Sequence, residues 1–124
     1  MKGRSMILVV DDDKKTCRLI SAALAAKGYG TAVAYNGREA LDYLKGADRR
    51  PSLILLDLMM PEMNGWEFRK AQQSDPALAD IPVAIITGLE GGGEGVSSIG
   101  AVDVLYKPSR IENLTALVSR FCDN

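Results

Sequence analysis

Apolar residues gather in five short runs along the chain, at 7–10, 31–34, 53–56, 83–86 and 102–106. Three of them, Ile-Leu-Val-Val, Leu-Ile-Leu-Leu and Val-Ala-Ile-Ile, contain no polar residue. A strand buried on both faces needs such an unbroken run, so these three predict the centre of a parallel sheet. The segments between them have helical spacing. Cys17, Ile20 and Leu24 recur at i, i+3 and i+7, and Ile111, Leu114, Val118 and Phe121 hold the pattern over three turns. Helix starts are written in as well. Asn36, Asn64 and Ser109 each stand three positions before a glutamate (Glu39, Glu67 and Glu112), a spacing that lets two orphan backbone amides be satisfied reciprocally. Strand and helix alternate five times, which predicts a parallel sheet with helices on both faces.

Composition narrows this picture. The 124 residues suit one domain, expected over 1–124, with a single core. Net charge is −1, so there is no basic footprint, and direct nucleic-acid or anionic-membrane binding is not expected. No apolar run approaches the roughly 20 residues that span a bilayer. The stretch before Asp11 is too short for a signal-peptide core. Cys17 and Cys122 have no metal or redox spacing and are expected to be reduced, packed thiols. A cytoplasmic location is the default expectation. One segment is biased, Gly91-Gly92-Gly93-Glu94-Gly95. It lacks the spacing of a nucleotide-binding loop and is expected to be a flexible loop.

The polar residues fall at one edge of this frame. Asp11, Asp12 and Asp13 follow the first strand, Asp57 follows the third, Thr87 ends the fourth, and Lys107 follows the fifth. Open parallel sheets bind ligands outside the carboxyl ends of their strands, so all of these residues share the ligand edge. Carboxylates crowded together repel, and one is driven to protonate unless a cation intervenes. There is no His, and Cys17 lies in the following helix, so the donors are oxygens. These suit a hard ion such as Mg²⁺. One carboxylate can then attack phosphorus, as in enzymes that pass through an aspartyl-phosphate. Lys107 and Thr87 are placed to meet the transferred oxygens.

The segments Ile7-Leu8-Val9-Val10-Asp11-Asp12-Asp13, Leu53-Ile54-Leu55-Leu56-Asp57-Leu58-Met59-Met60-Pro61-Glu62-Met63-Asn64-Gly65, Ile85-Ile86-Thr87-Gly88 and Tyr106-Lys107-Pro108 together resemble the receiver domain of bacterial two-component response regulators. The resemblance covers essentially the whole chain, in order. It implies a flavodoxin-like (βα)5 three-layer sandwich, α/β in class, with strand order 2-1-3-4-5. It implies Asp57 as phosphoacceptor and Asp11 and Asp12 as the acidic pair for Mg²⁺, with Asp57 and the backbone carbonyl of Met59 completing the protein ligands. Thr87 and Lys107 would contact phosphate and take part in the switch. The peptide bond between Lys107 and Pro108 would be cis. The phosphoryl group would come from a histidine kinase or phosphotransfer protein, and phosphorylation would change affinity for a downstream partner or output domain. The only catalysis implied is the domain's own aspartyl phosphorylation and dephosphorylation. A homodimer through the fourth helix, fifth strand and fifth helix is also implied.

Several positions depart from the family pattern. Receivers usually carry Tyr or Phe three residues before the lysine, where this chain has Val104; the nearest ring is Tyr106, on the same face but one pleat along. The region of the fourth helix is rich in Gly and Ser. Each such glycine costs up to about 1 kcal/mol, so a short or frayed helix is expected around 94–99, which would weaken the dimer face. Ser109 replaces a commonly apolar residue, and Arg69 and Gln72 stand on the third helix where leucines are common. Asp13 is expected to cap the following helix rather than bind metal, and Met63 and Trp66 are expected to pack. Two alternatives to the phosphorylation switch follow. One is an interaction module whose output does not depend on phosphate, motivated by Val104 and the glycines. The other is a phosphohydrolase of the haloacid dehalogenase type acting through Asp11, whose Asp-x-Asp motif is formally present.

Overall fold

The structure is a computed structural model that describes residues 5–88, 99–107 and 110–122. In chain order these residues form β1 (Met6–Val10), α1 (Lys14–Ala26), β2 (Gly30–Ala34), α2 (Gly37–Gly46), β3 (Leu53–Leu56), α3 (Gly65–Gln73), β4 (Val83–Thr87), β5 (Asp103–Tyr106) and α4 (Ile111–Cys122). All five strands are parallel, in the order β2-β1-β3-β4-β5. The three wholly apolar runs are therefore the three inner strands, and the two weaker runs are the edges. The expected helix around 94–99, apart from Ile99, the glycine cluster, the Ser109 cap and the bond to Pro108 lie outside the described residues.

The alternation of side chains across the pleat divides the core in two. Leu8, Val10, Ile54, Leu56, Val83 and Ile85 point to one side, where Ala40, Leu41 and Leu44 of α2 and Phe68 of α3 cover them. Ile7, Val9, Leu53, Leu55, Ala84 and Ile86 point to the other, under Cys17, Ile20 and Leu24 of α1 and Leu114, Leu117 and Val118 of α4. The result is the three-layer flavodoxin-like sandwich. Each fully buried Leu, Ile or Phe contributes about 1.5–3 kcal/mol, so the stacked layers dominate stability. Met63 and Trp66 pack against the first of these clusters.

The helix starts follow local chemistry. Asp13 caps α1, its carboxylate accepting from the N–H groups of Lys15 and Thr16. At α3 the reciprocal box forms in full: Asn64 accepts from Glu67 N–H while Glu67 accepts from Asn64 N–H, each at 2.9 Å. At α2 only half of it forms as the spacing predicts. Asn36 accepts from Glu39 N–H, but the Glu39 carboxylate reaches one residue further back, to Tyr35 N–H. Cys17 and Cys122 are both free thiols. No helix of the described residues is long and apolar enough to cross a membrane.

A candidate phosphoryl site at the carboxyl edge of the sheet

Backbone bonds that extend the parallel ladders bring the polar residues together. Asp11 N–H donates to Ala34 O at 3.1 Å and Asp57 N–H to Val10 O at 2.9 Å, which sets Asp57 beside the end of β1. Lys107 N–H donates to Thr87 O at 2.7 Å, which sets the lysine beside the end of β4. Each of these strands thus delivers its last residue or the one just after it to one edge, as the order β1-β3-β4-β5 requires. Asp11, Asp12 and Asp57 each offer a carboxylate oxygen, and these oxygens all lie within 4.8 Å of one another. Lys107 Nζ is 2.7 Å from Asp11 Oδ2 and 3.7 Å from Asp57 Oδ2.

Burial sets the electrostatics. Asp11, Asp57 and Thr87 are all buried, Thr87 at 0 % exposure, while Asp12 is exposed. Burial and then the neighbouring Asp11 charge push the Asp57 carboxyl up to about 6, against the opposing pull of Lys107 and of the Leu58 amide. Burial alone would lower the Lys107 pKa; the hydrogen bond to Asp11 and the charges of Asp57 and Asp11 outweigh it, and the ammonium stands above its ordinary value. Cys17 belongs to the same corner, its thiol donating to Asp11 O at 3.2 Å. Burial and the nearby carboxylates push that thiol up to about 12, so it stays protonated and unreactive.

Asp11 and Asp57 use their oxygens differently. Asp11 Oδ1 accepts from Asp13 N–H at 2.9 Å and Oδ2 from Lys107, so both oxygens are held. Asp57 Oδ1 accepts from Leu58 N–H at 2.9 Å, while Oδ2 faces Lys107 across a gap longer than a hydrogen bond. Asp13 points away into its cap. The exposed Met59 side chain lies just past Asp57. Val104 is half-buried against the cluster shared with α2 and α3, whereas Tyr106 is 45 % exposed, so the ring two residues on does not fill the Val104 position.

The loop from Asp57 to Asn64 is braced by residues to which sequence reasoning assigned no separate role. Gly65 N–H donates to Leu58 O at 2.9 Å, and a Cβ on Gly65 would lie 2.7 Å from Asp57 O and 2.8 Å from Leu58 Cα. Only glycine permits that approach. Gly37 N–H donates to Met63 O at 2.9 Å, and Asn36 Nδ2 donates to Glu62, a non-glycine residue at φ 65°. The start of α2 therefore clamps the far side of the loop. Asn64 was visible as a helix start, but the clamp from Asn36 and Gly37 spans distant positions and had no signal.

Residues 7–119 match the response regulator receiver domain family, and the chain belongs to it. The chain is thus a signalling module of the two-component type. Response regulator PleD of Caulobacter vibrioides is 39% identical over 118 residues, which cover 88% of this chain and 26% of PleD. The chain therefore spans about a quarter of that relative's length. The receiver domain of a signal transduction histidine kinase from Syntrophus aciditrophicus is 34% identical, with a TM-score of 0.84 over 94% of this chain and 89% of that one. The phosphorylated cyanobacterial phytochrome response regulator RcpA is 27% identical, with a TM-score of 0.82 over 98% and 95% of the two chains.

Proposed function

We propose that this chain accepts a phosphoryl group on Asp57 from a histidine kinase or phosphotransfer protein, and that the modification changes its affinity for a downstream partner or output domain. The carrying observation is the meeting of three carboxylates within 4.8 Å with one lysine shared between two of them. Asp57 is favoured over Asp11 as acceptor because Asp11 has both oxygens engaged, while Asp57 keeps Oδ2 turned toward the lysine. The same observation disfavours a hydrolase acting through Asp11. RcpA, phosphorylated in its solved structure, is a relative of matching fold.

The donor set fits a hard divalent cation. The three side chains offer carboxylate oxygens only, and burial together with the Asp11 charge pushes the Asp57 carboxyl up to about 6, so a cation there would relieve charge that one lysine does not balance. Mg²⁺ would be held by Asp11, Asp12, Asp57 and the Met59 carbonyl, and it would offset the charge of the incoming phosphoryl oxygens. The chain's own residues do the rest. Asp57 Oδ2 attacks phosphorus as the donor's bond to phosphorus breaks, and Leu58 N–H keeps Oδ1 oriented. Lys107 swings from Asp11 to a phosphoryl oxygen, and the Thr87 hydroxyl donates to another. Catalysis is limited to this self-modification and its reversal.

Incubation with acetyl phosphate and Mg²⁺, followed by intact-mass measurement, tests the assignment. Wild type is expected to gain one phosphoryl group, and Asp57→Asn none. Uptake that survives in Asp57→Asn but is lost in Asp11→Asn would transfer the chemistry to Asp11. The phosphate-independent alternative is favoured by Val104, which presents no ring to a reoriented Thr87. Amide exchange over 99–107 unchanged by phosphorylation would support it.

A further inference from the structure

Two polar side chains on α3 are explained neither by packing nor by the carboxylate pocket. Gln72 is 0 % exposed, and its Nε2 donates to Leu78 O at 2.9 Å and to Ile81 O at 3.0 Å. Its Oε1 accepts from Arg69 Nη1 at 2.8 Å. Arg69 then donates Nε to Ile99 O at 2.9 Å, with Nη2 3.5 Å from Gly100 O. Gly100 has φ +73°, a turn that presents two successive carbonyls to one guanidinium and that a side chain would strain. Burial lowers the Arg69 pKa, a sign that this arrangement is costly. Leucines at both positions would spare the buried guanidinium but leave the carbonyls of Leu78, Ile81 and Ile99 without these donors, so the polar network's role is to hold those three carbonyls in place.

The network's connections show which geometry is held. Ile81 leads through Pro82 into β4, and Gly100 leads through Ala101 and Val102 into β5. Strand β4 ends at Thr87, and Lys107 follows directly on the end of β5. Helix α3 itself starts at Gly65, hydrogen-bonded to Leu58 beside Asp57. One helix is thus tied at its start to the acceptor loop and, one to two turns later, to the entrances of both strands that carry the other phosphate-handling groups. Strand β5 is short and paired along its length with β4, so a slip at Gly100 is passed to Lys107 or breaks the ladder.

We propose that Arg69, oriented by Gln72, is a positioning residue for the phosphoacceptor site: it holds the entrances of β4 and β5 against α3 so that Lys107 and Thr87 meet the group carried by Asp57. This inference rests on the phosphoacceptor reading of Asp57. Arg69 touches none of the reacting atoms and acts through the strands.

Beryllofluoride with saturating Mg²⁺ serves as the phosphoryl mimic, with affinity measured for wild type, Arg69→Met and Arg69→Lys, and thermal unfolding recorded in parallel. Arg69→Met is expected to bind the mimic about twofold to thirtyfold more weakly, the span of couplings carried through packed networks. Amide exchange at Val102 and Lys107 in the loaded protein is expected to rise with it. Arg69→Lys keeps the charge and one donor and is expected to fall between, and it decides the question alone should Arg69→Met not fold. Wild-type affinity in the variants, with only the melting temperature lowered, would overturn the proposal, because Arg69 would then be a structural brace alone. Failure of wild type to bind the mimic through Asp57, judged against Asp57→Asn, would instead remove the phosphoacceptor reading and this inference with it.

Discussion

Replacing Asp57 by Asn should stabilise the metal-free protein at neutral pH, although it removes the proposed acceptor. The unfolded carboxyl titrates near 3.8, and in the fold burial and the Asp11 charge push it up to about 6. Between those values the folded state holds more protons than the unfolded chain, so stability is highest below about pH 4 and is lost as pH rises to about 6. At about 1.4 kcal/mol per pKa unit, the ionised carboxylate costs the fold about 3 kcal/mol above that window. Asparagine cannot ionise, and its carbonyl oxygen can still accept from Leu58 N–H. Lys107 keeps its 2.7 Å partner Asp11, so losing the 3.7 Å contact to Asp57 subtracts little. The net gain expected is about 1–3 kcal/mol. Urea unfolding of both proteins in chelator, at pH values on either side of the window, measures it. The difference should be present above about pH 6 and vanish below about pH 4. A variant less stable than wild type at neutral pH, or a gain that does not change with pH, would refute the electrostatic account.

The glycine that closes the loop after Asp57 should be intolerant of even one methyl group. Gly65→Ala sets a Cβ within 2.8 Å of the Leu58 backbone, and relieving that clash is expected to cost about 1–3 kcal/mol in urea unfolding and to slow phosphoryl uptake from acetyl phosphate. Gln72→Leu conserves volume but leaves the Leu78 and Ile81 carbonyls without their buried donor and Arg69 Nη1 without its Gln72 acceptor. A loss of about 1–3 kcal/mol is expected, and unchanged stability would show that water or a relaxed loop takes over those bonds.

How much of this was legible in the sequence differs from one feature to the next. The runs at 7–10, 53–56 and 83–86 announced the three inner strands, because a strand covered on both faces admits no polar residue. Asp13, Asn36 and Asn64 announced helix starts because capping is a contact between residues two or three positions apart. Asp11, Asp12, Asp57, Thr87 and Lys107 could be assigned to one edge, since every parallel strand of a βα repeat ends on the same side. The family motifs suggested the chemistry proposed for that edge.

What depends on distant pairs was hidden. Only the folded chain shows that Lys107 bonds Asp11 and stands off from Asp57, which divides the two carboxylates between a held one and an available one. Only the fold shows the start of α2 clamping Met63 and Glu62. Arg69 and Gln72 were visible as departures from a leucine pattern, but a linear pattern cannot say what a departure contacts. Their partners lie up to 31 positions away, at Gly100 and elsewhere. Hydrophobic periodicity and capping are local, and one sequence suffices to read them. Sharing a proton, a cation or a carbonyl across elements depends on angles and distances that exist only once the layers have packed.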